Sequence, residues 1–95
     1  MTASIPPKAM KYLKHLPKIA TWIRTNKQIS GGEMVLFRTL FPEPYRMLKD
    51  ASYEKISEVI TPYQDDPQYG EYVRVALSPQ GEQWLRYALD LIKRS

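Results

Sequence analysis

The chain has 95 residues, of which 43% are hydrophobic and 25% charged, with a net charge of +4 and a pI of about 9.4. That length holds one domain with one core, which excludes a cofactor domain joined to a substrate domain, and the composition excludes a disordered chain. The absence of cysteine and the single histidine exclude a disulfide framework, a thiolate metal site and a histidine cluster within one chain, so neither metal nor cofactor is expected.

Residues 1–7 form a short polar, proline-bearing lead-in expected to fray ahead of one domain over 8–95. Tyr12, Leu16, Ile19 and Ile23 then share one helical face, while Lys8, Lys11, His15 and Lys18 lie together on another. Pro17 divides the pattern, so the spacing predicts two helices, about 8–15 and 17–26, with Pro17 in the first turn of the second. Residues 1–27 carry Lys8, Lys11, Lys14, Lys18, Arg24 and Lys27 with no acid, whereas 41–66 hold six acids against three bases. A basic end of this kind suits phosphates or an acidic partner, although a solvated lysine-rich helix face accounts for the same pattern.

Lys27, Gln28 and Ile29 suit a short strand, and Ser30 with Glu33 has the Ser-x-x-Glu spacing of a capping box. The helix that follows has Met34, Phe37, Leu40 and Phe41 on its apolar side and ends at Pro42 and Pro44. Tyr45 and Leu48 suggest a two-turn helix over about 43–50. Tyr53, Ile56, Ile60 and Tyr63 are spaced like a helical face, yet the β-branched Ile56, Val59, Ile60 and Thr61 suit a strand; the reading is a helix from 53 to about 59 that turns into a strand through Tyr63.

The string Gln64–Gly70, QDDPQYG, is dense in turn formers and is read as a hairpin loop. Val73, Val75 and Leu77 alternate with Tyr72, Arg74 and Ala76, which predicts a return strand over 71–78. Ser78 then offers a cap, Pro79 fits the first helical position, and Leu85, Ala88, Leu89 and Ile92 recur at helical spacing. Trp84, Ala88 and Leu91 make a second stripe beside them. One small core leaves part of this broad face uncovered, so Trp84, Tyr87, Ala88 and Leu91 are expected to pair with a second copy in a homodimer. The alternative is that both stripes pack on the N-terminal helix and the Trp22 side of the core.

Two segments, Gln28–Met34 and Val75–Leu85, are similar to the strand entering the second helix and the strand leaving the hairpin of winged helix-turn-helix DNA-binding domains. The resemblance implies an α+β fold: a helical core with a β-hairpin wing and, here, an added C-terminal helix. It also implies a small transcriptional regulator that acts as a dimer on double-stranded DNA, with one helix in the major groove and the hairpin on backbone or minor groove. The recognition helix is either 43–50, with Arg46 and Lys49, or 53–60, with Lys55 as its one cation; Arg46 paired with Glu43 or Asp50 is the plainer reading. Lys8, Lys11, Lys14, Lys18 and Lys27 are the phosphate contacts, extended by Arg38 and Arg74, and Gln64, Gln68 and Tyr69 are the wing contacts.

The competing function is a non-enzymatic protein-interaction module on the same scaffold, using the acidic third or the aromatic face. An enzyme is not expected: Glu54 and Glu58 have the spacing of a surface pair, Asp65 and Asp66 sit in a turn, and Gly31-Gly32 lacks the lysine of a phosphate loop. Apolar runs such as Met34–Phe37 fall far short of the roughly 20 residues that cross a bilayer, and no signal-peptide segment opens the chain, so no membrane contact and a cytoplasmic location are expected.

Overall fold

Proline sets the helix starts. Pro7, Pro17 and Pro42 occupy first-turn positions of α1 (Pro7–Leu13), α2 (Leu16–Arg24) and α4 (Pro42–Lys49), and Pro79 opens α7 (Pro79–Arg94). A first-turn residue has no intrahelical partner for its N–H, so proline gives up nothing there and brings a φ already suited to the helix. The remaining elements are α3 (Gly31–Leu40), α5 (Tyr53–Ile60), a 3-10 turn (Thr61–Tyr63) and α6 (Gly70–Leu77). The computed structural model describes residues 5–25 and 31–94.

Among the described residues there is no strand, which overturns the α+β winged-helix expectation. The segment read as the wing's first arm is the C-terminal end of α5, where Ile56 and Ile60 are buried one turn apart, followed by the 3-10 turn. The segment read as the return arm is α6. Its eight residues carry Val73, Val75 and Leu77 in alternation, but Gly70, Val73 and Ala76 also recur at helical spacing, and these are the three that are buried. The hairpin loop is a helix-starting turn: Asp66 Oδ2 accepts the N–H groups of Gln68 at 2.9 Å and Tyr69 at 2.8 Å, with Pro67 between, before α6 begins. Gly70 is required there because a Cβ would lie 2.6 Å from the Gln64 carbonyl oxygen. The strand expected at 27–29, the Ser30 cap and residues 1–4 of the lead-in lie outside the described residues.

Other expectations hold. Pro17 does divide the first helical stretch into two, and Ser78 accepts the Gly81 N–H at 3.0 Å at the start of α7. Ser52, which the sequence reading did not single out, caps α5 by accepting the Lys55 N–H. The core is built around α7, which packs against α2, α3, α4, α5 and α6, while α1 packs on α5 and α2 on α6. Phe37 of α3 is fully buried at its centre, with Trp22 edge-on at 5.4 Å and Trp84 at 6.3 Å between ring centroids.

Candidate nucleic-acid interface

The amphipathic pattern of α1 puts Ala9, Tyr12 and Leu13 inside, on the α5 side, and leaves Lys8 and Lys11 on the outer surface with Lys14 at the helix end. Lys18 follows, exposed, in the first turns of α2. None of these lysines forms a salt bridge among the described residues, and the stretch from Pro7 to Arg24 contains no acid to offer one. Two of them lie over rings: the Lys11 ammonium is 5.9 Å from the Tyr12 centroid and that of Lys18 5.4 Å from Phe41. Contacts of this kind at exposed sites are worth about 0.5–1 kcal/mol, and each cation keeps hydrogen-bonding capacity toward solvent.

Phe41 and Tyr45 stand one helical turn apart, the Tyr45 N–H donating to the Phe41 carbonyl at 3.1 Å. The Arg38 guanidinium sits 5.9 Å from the Tyr45 centroid, so Lys18 and Arg38 cover neighbouring rings and the cationic row passes from α2 to α3. Sequence reasoning named both cations but not the aromatic pair that spaces them; the i, i+4 separation of Phe41 and Tyr45 was the available signal.

At the corner between α1 and α2 sits His15, 7% exposed and, among the described residues, the only polar or charged one that is buried. Its imidazole has lost much of its hydration and feels the positive charge of Lys14 and Lys18. These effects, led by burial, hold its pKa below the usual 6.5, and Glu43 opposes them from the first turn of α4.

The other expected contacts divide. Arg46 and Lys49 on α4 and Lys55 on α5 are exposed and unpaired among the described residues; Arg46 bonds neither Glu43 nor Asp50. Lys27 lies outside the described residues. Gln68, Tyr69 and Arg74 stand on no wing: the first two give their backbone N–H groups to Asp66, and the Arg74 guanidinium donates to the Gln64 carbonyl, tying α6 to the turn before it. Of the four dimer candidates, Trp84 and Ala88 are buried in the chain's own core, while Leu91 is half-buried and Tyr87 is 41% exposed. Leu91 shares a shallow groove with Met34, Val35, Arg38 and Tyr45.

Glu54 is occupied by Arg86, whose guanidinium also bonds Glu82 and lies 4.7 Å from the Tyr53 centroid, joining α5 to α7. Its own backbone N–H and then Arg86 hold the Glu54 carboxyl below its ordinary range, the opposite of what a general base near neutral pH needs. Among the described residues no three His, Asp or Glu side chains gather as a metal site, and no helix is long and apolar enough to cross a membrane. No known protein family, curated protein or solved structure matches the chain.

Proposed function

We propose that this chain binds double-stranded DNA through its phosphates, using the outer face of α1 and α2. The observation that carries the reading is the row Lys8, Lys11, Lys14 and Lys18: exposed, free of salt bridges among the described residues, and set in a segment without acids. Surface lysines on a folded protein commonly meet carboxylates; a row that meets none keeps its charge available to a polyanion. A part in transcription control further requires base contacts, for which Arg46 and Lys49 on α4 are the proposed residues.

Lys11, Lys14 and Lys18 replaced together by Glu are expected to abolish retention of duplex DNA at low salt. Retention unchanged in that variant overturns the reading. For the unsubstituted chain, the logarithm of affinity is expected to fall against the logarithm of salt with a slope of about −0.9 per phosphate engaged.

A second reading, interaction with another protein, is favoured by α3, where Val35, Leu36 and Leu40 are 53%, 49% and 55% exposed. We take the occupant to be a second copy of the chain, which moves the homodimer contact from Trp84 and Ala88, already used by the core, to α3 with Leu91 beside it. Light scattering of the pure chain is expected to give twice the monomer mass; a monomer at micromolar concentration removes this reading.

A further inference from the structure

We infer that the corner between α1 and α2 is a phosphate seat in which the His15 imidazole acts beside Lys14 and Lys18, so that nucleic-acid backbone is held more tightly as the pH falls. The inference rests on the DNA-binding reading and deepens it by naming one seat and its regulation by protons.

Its ground is the unusual way His15 is housed. The residue is more than nine-tenths buried, yet no protein group among the described residues hydrogen-bonds its ring. At the same time no buried side-chain nitrogen or oxygen among the described residues is left without a partner, so the polar edge of the imidazole reaches solvent while its carbon body is packed inside. That edge has water as its partner, and an anion can take the water's place. Lys14, the residue before His15 at the end of α1, and Lys18, one helical turn after it in α2, are both exposed, and the charge of each acts on the ring.

The charged groups acting on the ring are Lys14, Lys18 and Glu43; none from α5, α6 or α7 contributes. In the free protein, burial and the two ammonium groups favour the neutral ring. A phosphate between Lys14 and Lys18 cancels their repulsion and gives an imidazolium N–H a charged acceptor, so binding is coupled to proton uptake. The sign follows: the bound-state pKa lies above the free one. Affinity therefore rises as pH falls through the bound-state value and levels off below the free-state value, by about tenfold for each unit that separates them. Glu43 weakens anion attraction slightly but favours the same protonated ring.

Because the chain has one histidine, its imidazole resonance can be followed by NMR without a variant. The protonation midpoint is expected to rise when saturating duplex DNA is added, and inorganic phosphate is expected to move it in the same direction. Affinity for the duplex at fixed salt should increase about tenfold for each unit the midpoint rises, on acidification from above the bound-state midpoint to below the free-state one. In His15→Gln, checked for retained helix by circular dichroism, the gain in affinity on acidification is expected to vanish. A midpoint that stays put while DNA is bound overturns the seat, as does an unchanged acid gain in His15→Gln. If DNA does not bind at any pH but inorganic phosphate still raises the midpoint, the seat stands and the DNA reading falls. If neither ligand moves the midpoint and no DNA binds, both fall.

Discussion

Gly81 sits where a methyl group has no room: a Cβ would lie 2.1 Å from the Val75 carbonyl oxygen and 2.6 Å from that of Ala76. Gly81→Ala is therefore expected to push α7 off the end of α6 and cost about 3 kcal/mol or more, measured as a shift in urea midpoint. Ser78 serves the same corner, accepting the Gly81 N–H and donating its hydroxyl to the Val75 carbonyl at 2.6 Å. Ser78→Ala removes both bonds and is expected to cost about 1–2 kcal/mol in the same assay. His15 adds a pH dependence to folding itself. Its folded-state pKa is held below the unfolded value of 6.5, so the unfolded chain binds more protons between the two. Stability is thus full above pH 6.5 and is lost as pH falls toward the folded-state value; thermal melts of the chain and of His15→Leu should differ in slope over that window.

At the scale of elements, the same two-residue signature occurs twice and reads differently by context. Ser78-Pro79 ahead of the long stripe Leu85, Ala88, Leu89 and Ile92 announces a helix, because sixteen residues are enough to fix the period. Asp66-Pro67 lies instead in the turn ahead of α6, whose N-cap is Tyr69; the eight residues of α6 fit two periods, and the surrounding Asp, Gln and Gly residues suggest a loop. What decides for helix is tertiary: Gly70, Val73 and Ala76 face inward on an element that packs against α2 and α7, a surface no local pattern contains. Asp66→Ala is expected to cost about 1 kcal/mol and to loosen α6 first, seen as faster hydrogen exchange at its amides. The candidate interface was legible in part. The lysine row follows from helical spacing and the lack of nearby acids, whereas the burial of Trp84 and the half-open housing of His15 depend on which helices meet, and the sequence does not carry that.

For the whole molecule, the decisive side chain is Phe37, fully buried between the two tryptophans and in contact with Phe41 at 5.6 Å between centroids. Phe37→Ala is expected to remove about 3–5 kcal/mol, a large share of the 5–15 kcal/mol typical of a domain, with tryptophan emission and helix content lost together in denaturant. The helices are also interleaved along the chain: α1 docks on α5 and α2 on α6, so each N-terminal helix is covered by the second half of the sequence. Neither α1 with α2 nor the remainder of the chain can therefore hide all of its own oily faces. Supplied as separate polypeptides parted between Arg24 and Gly31, the two pieces should each be poorly structured in isolation and should recover helical signal when mixed in equal amounts, a fragment complementation that a fold of two side-by-side halves would not display.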